Sequence, residues 1–193
     1  VRDEFGNDIR SYDPEINFVE DNTIVEGSFE DEKYWGHNLD SIDDWLKVEP
    51  MAMPNDLCVI GFRGGEYATI PDLFLTRDYF EDSIRLMRTI NPNMIFEVHT
   101  DDPITANQFF PDFLIVQNSQ VDHSQHTKMG YNWRAIRFAK YAIIANSAFF
   151  ILPRQLAQHT SKTAFTIAPR HWARRNTKVW ARPACYYKSF TYL

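Results

Sequence analysis

The chain has only two cysteines in 193 residues, Cys58 and Cys185, too few for a disulfide framework. Cys58 sits inside an apolar run and reads as a core residue. No apolar run approaches the ~20 residues that span a bilayer. The start, Val1 to Arg10, is polar and acidic, unlike a signal peptide, and it lacks an initiator Met, as in a fragment or processed form. No Asn-x-Ser/Thr acceptor is present. These absences predict a reducing, cytoplasmic setting. Also missing are a Walker A loop, a G-x-G-x-x-G fingerprint and a serine-nucleophile elbow. There is no internal repeat and no low-complexity segment.

What is present is a globular composition, 44% hydrophobic and 15% aromatic, on a chain long enough for one full core. The net charge of −6 hides a strong asymmetry. Residues 1–50 hold 15 acids and 4 bases, residues 51–120 hold 10 and 4, and residues 121–193 hold 1 and 12. A basic final third suits an anionic ligand. It equally suits packing of the acidic start against the basic end.

Residues 1–50 carry few long apolar runs. Thr23 to Phe29 reads as a strand, and the apolar spacing from Glu32 to Leu46 reads as a helix. Pro50 and Pro54 bracket a connector. From Leu57 the pattern alternates. Leu57 to Arg63 reads as a buried strand, Gly64 to Tyr67 as a turn, and Thr76 to Ile90 as a helix capped by Thr76. Met94 to His99 is a strand, Asp102 to Phe110 a short helix, Phe113 to Val116 a strand, His126 to Met129 a loop and Asn132 to Tyr141 a helix. A near-continuous apolar run then ends on Asn146-Ser147, a helix follows, and a β-rich run from Ala164 ends at Pro169. Strands alternating with helices predict a parallel α/β sheet, with ligands beyond the carboxyl ends of the strands.

Several residues at those ends carry chemistry. Arg63 precedes two glycines and can hold a phosphate bidentately, or pair with Glu66 or a nearby Asp. Asp101 and Asp102 can accept from a ribose or base, hold a cation, or cap the helix at Pro103. A cation is the weakest of these readings. Asn146-Ser147 opens a helix whose N-terminal N–H groups suit a phosphate, and a plain N-cap is compatible with that. Asp122, His123 and His126 lie close in a polar loop, but a metal needs further ligands and a fixed frame. The segment Arg170-His171-Trp172-Ala173-Arg174-Arg175 can grip RNA phosphates or line the same diphosphate pocket.

In order, Gly61-Phe62-Arg63-Gly64-Gly65-Glu66-Tyr67, Arg77-Asp78-Tyr79-Phe80, Phe96-Glu97-Val98-His99-Thr100-Asp101-Asp102, Ala145-Asn146-Ser147-Ala148-Phe149 and Ile167-Ala168-Pro169-Arg170-His171-Trp172 resemble the α-1,2-fucosyltransferase family. That family shows His-x-Arg-x-Gly-Asp-Tyr, a Tyr-Tyr helix start, Phe-x-Phe-Ser-Asp-Asp, Ala-Asn-Ser-Ser-Phe-Ser-Trp-Trp and a late Pro-x-x-Trp. The match covers residues 57 to 172, with a looser likeness from Thr23 to Tyr34. Gly61 stands where the family has His, Gly64 where it has a second Arg, Glu66 where it has Asp, and Phe150-Ile151-Leu152 where it has Ser-Trp-Trp.

The resemblance implies a Rossmann-like parallel sheet, the C-terminal domain of a GT-B glycosyltransferase, over residues 51–193. Residues 1–50 are then an acidic lead-in, a remnant of or linker to an N-terminal acceptor domain. It implies transfer of fucose from GDP-fucose to a glycan hydroxyl with inversion, without a metal or other cofactor. Arg63, Asp101, Asp102, Asn146, Ser147 and Phe149 match donor-site positions, and Arg170 joins them by position. Glu66 and Asp72 are base candidates beside Arg63, by position alone. The rival readings are an inactive nucleotide- or glycan-binding module of the same fold, and an RNA-binding domain using the basic third. The expected partners are a nucleotide-sugar donor and a glycan acceptor, not nucleic acid, with other domains if the chain is part of a longer one.

Overall fold

A computed structural model describes residues 12–27, 29–117, 128–175, 179–181, 183 and 186–193. Six strands form one all-parallel sheet: β1 (Leu57–Phe62), β2 (Ile95–Thr100), β3 (Leu114–Gln117), β4 (Tyr141–Ile144), β5 (Phe165–Ala168) and β8 (Thr191–Tyr192). Their order is β3-β2-β1-β4-β5-β8. The first three strands step one way from β1 and the last three step the other, which is the doubly wound Rossmann order. The sheet reverses between β1 and β4. A separate antiparallel hairpin joins β6 (Ala173–Arg175) to β7 (Val179–Ala181).

The helices are α1 (Leu39–Trp45), α2 (Arg77–Ile90), α3 (Pro103–Phe109), α4 (Lys128–Phe138) and α5 (Ala148–Thr160). Alternation along β1 shows how they divide. Phe62 meets Phe80 of α2 and Phe109 of α3 at ring distances of 5.5 and 5.1 Å. Gly61 points the other way, toward the Phe150 ring of α5. Successive strand residues face opposite sides, so α2 and α3 cover one face and α5 the other. Every residue of β1 is buried, as a strand sandwiched on both faces requires. Cys58 is among them, and burial pushes its thiol far above the ordinary value.

On the α5 face the sheet is tied down by Arg154, which is fully buried. Its guanidinium donates to Ile136 O (2.9 Å) and Ala139 O (2.7 Å) at the end of α4, and to Phe165 O (3.1 Å) and Thr166 Oγ1 (2.9 Å) on β5. Burial depresses its pKa to about 9, still above neutrality, so the cation is the form that sits there.

The acidic lead-in packs against the basic end. Asp43 of α1 pairs with Arg137 of α4 at 2.7 Å, and Asp40 with His159 of α5 at 2.7 Å. Arg134 donates to Glu49 O at 2.8 Å, and Tyr187 donates to Glu30 O at 2.6 Å. Part of the positive charge of the final third is therefore engaged inside the fold.

Four expectations are corrected. Thr23 to Phe29 forms no strand over its described residues. Asn22 just before it and Phe29 at its end have φ of 66° and 45°, and Ile24 is 88% exposed, so the segment lies beside no sheet neighbour. Glu32 to Leu46 is not one helix but two 3-10 turns, Glu32–Tyr34 and Gly36–Asn38, followed by α1. Gly36 and Asn38 disfavour helix interiors, and the Asp31 side chain fixes the first turn by accepting from Lys33 N. The helix read over Asn132 to Tyr141 runs instead from Lys128 to Phe138, because Tyr141 pairs with β1 and β5 as the first residue of β4. Thr76 sits at the N-cap of α2 with extended backbone, yet its hydroxyl makes no cap bond. Ser28, Cys185 and the loop carrying Asp122, His123 and His126 lie outside the described residues.

Candidate functional site

Because the six strands are parallel, the segments leaving them gather at one edge. Arg63-Gly64-Gly65 leaves β1, Asp101-Asp102 leaves β2, Asn146-Ser147 leaves β4 and Pro169-Arg170 leaves β5. The β1 and β4 segments flank the point where the sheet reverses, where such folds open a crevice.

Arg63, Glu66, Asp101 and Asp102 come together. Arg63 Nη1 donates to Asp101 Oδ2, and Gly64 N donates to Asp101 Oδ1 at 3.0 Å. Arg63 Nη2 lies 3.4 Å from Glu66 Oε1, and the guanidinium stacks 5.2 Å from the Tyr67 ring centroid. Glu66 is otherwise open, its side chain 70% exposed. Asp102 takes the capping role. Its Oδ1 accepts from Thr105 N at 3.1 Å and its Oδ2 from the Thr105 hydroxyl at 2.5 Å, opening α3 behind Pro103.

The two glycines let these loops touch. A Cβ on Gly64 would lie 2.5 Å from Asp102 Cβ, and Gly65 has φ +44° with Asp101 Oδ2 2.6 Å from its Cβ position. Gly64→Ala is therefore expected to lower stability by about 1–3 kcal/mol in denaturant titration.

Burial raises the Asp102 carboxyl, but the Thr105 hydroxyl and the amides of Thr105, Gly65 and Ile104 outweigh it and hold the carboxyl below 3.8. A folded pKa below the unfolded one stabilises above that ordinary value, and the gain is lost as pH falls through the folded pKa. Asp102→Ala should thus cost about 1 kcal/mol at pH 7, as for a lost N-cap. The gap to the parent should close below pH 4, which urea unfolding at a series of pH values reads directly.

The β4 turn is built differently from its sequence expectation. Ser147 O accepts from Phe150 N (3.0 Å) and Ile151 N (3.3 Å), starting α5, but the Ser147 hydroxyl makes no cap bond. Asn146 is 1% exposed and works as a brace. Its Nδ2 donates to Leu73 O at 2.8 Å and to Trp172 O at 2.5 Å, joining two loops distant in sequence. Its Oδ1 is buried without a partner. Phe149 packs on Trp133 of α4 (5.8 Å) and on Phe150 (5.6 Å). Arg170 is exposed on the extension of β5, where its N–H donates to Leu193 O at 2.6 Å and its carbonyl accepts from the Tyr186 hydroxyl at 2.7 Å. Asp72 lines a pocket between the start of α2 and the segment leaving β5, and Arg63 is not in that lining.

Gly61 and Phe150 fit each other. A Cβ on Gly61 would approach the Phe150 ring to 3.0 Å, so a His there requires that ring to give way. Gly61→His should destabilise by about 1–3 kcal/mol. In a double-mutant cycle with Phe150→Ser the two changes should couple favourably by about 1 kcal/mol or more.

Sequence reading missed a buried constellation just inside the edge. The His99 ring is fully buried, with Nδ1 2.9 Å from Asn132 Oδ1 and Nε2 2.7 Å from Glu97 Oε1. The signal was the i, i+2 spacing of Glu97 and His99, which puts both on one strand face. Among the described residues, no group of three or more His, Cys, Asp and Glu gathers as metal ligands would, and no helix is long and apolar enough to cross a membrane. No protein-family model and no curated protein matches the chain.

Proposed function

We propose that the protein is an inverting glycosyltransferase that takes a nucleoside-diphosphate sugar, GDP-fucose, as donor and a glycan hydroxyl as acceptor. The observation that carries this reading is that a cation and a helix N-terminus follow the two strands that flank the switch point of a doubly wound sheet. Arg63 leaves β1 on one side and α5 begins beyond β4 on the other. The first N–H groups of α5 have no intrahelical partner and, with the helix dipole, favour phosphate. The acceptor oxygen attacks the anomeric carbon, and the bond from that carbon to the diphosphate oxygen breaks. The electron pair stays on the diphosphate, where Arg63 and the α5 amides offset the developing charge. The acceptor proton passes to a carboxylate. Glu66, exposed beside Arg63, is the first candidate, and Asp72 the second.

A second reading is a nucleotide- or glycan-binding module without turnover. It is favoured by the acids around Arg63. Asp101 pairs with it and Glu66 stands 3.4 Å away, so the donor phosphate must compete for this cation.

Titration calorimetry with GDP, GDP-fucose, UDP and ADP tests the donor. GDP should bind, and Arg63→Ala should weaken it by about 2–3 kcal/mol, as for a hydrogen bond to a charged group. An unchanged GDP affinity in a folded Arg63→Ala protein rejects the assignment. GDP binding is expected to survive EDTA, and strict dependence on Mg²⁺ or Mn²⁺ would reject charge neutralisation by Arg63 and the helix. Release of free or transferred fucose from GDP-fucose separates the enzyme from the binding module.

A further inference from the structure

A cavity of about 210 Å³ lies between the start of α2 and the segment leaving β5. Its walls include Asp72, Leu73, Tyr79, Asp82, His171 and Trp172. The walls are held from behind. The buried Asn146 amide donates to the carbonyls of Leu73 on one wall and Trp172 on the other, which fixes their separation. The Tyr79 hydroxyl donates to Ile144 O at 2.7 Å, anchoring its ring to the end of β4. Burial pushes the Tyr79 phenol well above its ordinary range, so it remains a neutral donor. The cavity is thus built into the edge of the sheet and does not depend on a loose loop.

The lining chemistry is selective. Among the described residues it contains two carboxylates, a histidine and aromatic rings, and no Lys or Arg. A phosphate or carboxylate ligand would meet Asp72 and Asp82, and the cation beside them, Arg85, is already paired with Asp82. A cation is disfavoured at Asp82, whose charge Arg85 already offsets. Asp82 accepts from Arg85 at 2.6 Å, and Asp72 also has an interaction within the fold. Each carboxylate offers about four lone-pair sites, so a paired one still accepts from hydroxyls. Carboxylate acceptors and a Trp in one lining match a ring with hydroxyls on its rim and an apolar C–H face.

We propose that this cavity binds a single neutral sugar ring and forms the acceptor subsite. The acceptor role rests on the donor reading given above; the sugar-binding role does not. The cavity lies beyond the end of β5, walled by the segments before α2 and after β5 that Asn146, at the end of β4, braces, while Arg63 leaves β1, the neighbour of β4 on its other side. A donor at the switch point and a sugar in the cavity would then flank the Asn146-Ser147 turn. Asp72, in the wall of the cavity, becomes the carboxylate nearer the acceptor.

The test is saturation-transfer NMR on the nucleotide-free protein, with methyl galactoside, methyl glucoside, methyl mannoside and methyl fucoside as neutral probes. Choline serves as the cationic probe and inorganic phosphate as the anionic one. At least one hexoside should receive saturation on its ring protons, with a Kd on the order of millimolar. Trp172→Leu and Asp72→Asn should each weaken it roughly tenfold. Trp172→Leu keeps the backbone carbonyl that Asn146 holds but loses packing on the core, so its unfolding temperature should fall while the transition stays single; Asp72→Asn keeps the shape of the wall and should unfold near the parent. No saturation of any hexoside, equal binding by both variants, or binding of choline or phosphate in place of hexosides overturns the proposal. A protein that binds GDP but no hexoside overturns this site alone. One that binds a hexoside but no GDP upholds the sugar site and overturns the donor reading.

Discussion

Arg154→Ala should lower the free energy of unfolding by about 3–5 kcal/mol, enough to remove much of a typical domain's stability. Arg154 is fully buried and donates to four acceptors. Two of these are carbonyls at the end of α4, where no further turn of helix can satisfy them. Truncation leaves a cavity and strands buried acceptors, and both terms act in the same direction. Arg154→Lys should recover only part of the loss, since an ammonium cannot reproduce the planar fork that spans α4 and β5. The folded pKa of about 9 lies well below the ordinary guanidinium value, so between the two the unfolded chain binds the extra proton. The group's contribution is therefore flat below pH 9, and stability rises with pH above it. Denaturant titrations of parent and Arg154→Ala at pH 7 and pH 10 measure both effects. A loss under 1 kcal/mol at pH 7 would show that α4 and β5 hold together without this side chain.

The largest effect on ligand binding is expected from Ala148→Glu. Ala148 is the exposed first residue of α5. An acid at a helix start is favourable by about 0.3–1 kcal/mol, so folding should be unharmed. A bound diphosphate at this turn would face a like charge. At 4 Å and an effective dielectric constant near 20, that repulsion is about 4 kcal/mol, or roughly a thousandfold in Kd. Ala148→Gln has nearly the same size without the charge and should bind GDP close to normally. If the Glu protein binds GDP as well as the Gln protein, the donor does not sit at the start of α5.

The central strands were legible because burial on both faces leaves a plain apolar run. Leu57 to Phe62 and Tyr141 to Ile144 are cases in point. Helix α2 was legible from the spacing of Tyr79, Phe80, Ile84 and Met87, and Asp102 from its place before a proline. The all-parallel α/β architecture followed from that alternation. The strand read over Thr23 to Phe29 and the single helix read over Glu32 to Leu46 failed because apolar spacing has force only where a surface waits to receive it. Trp45 fits the helical stripe and yet is 78% exposed. The short strands β6, β7 and β8 carry too little pattern to be seen. Asn146 was marked as a strand end, but its brace depends on carbonyls at Leu73 and Trp172 that only the fold brings near. Arg154 escaped notice for a related reason. Its acceptors are backbone carbonyls, which leave no trace in side-chain identity.

The strand order also bears on how the chain assembles. β1 lies at the centre of the sheet, but one of its two neighbours is β4, so residue 58 waits for residue 141. β2 follows soon after β1 and covers the other side at once. During synthesis the most apolar strand therefore carries an open hydrogen-bonding edge until most of the chain has emerged. Such late, distant pairing slows folding and leaves an adhesive edge available to neighbouring chains. Truncations ending before Tyr141 should accordingly aggregate, while those that include β4 and α5 should gain solubility sharply.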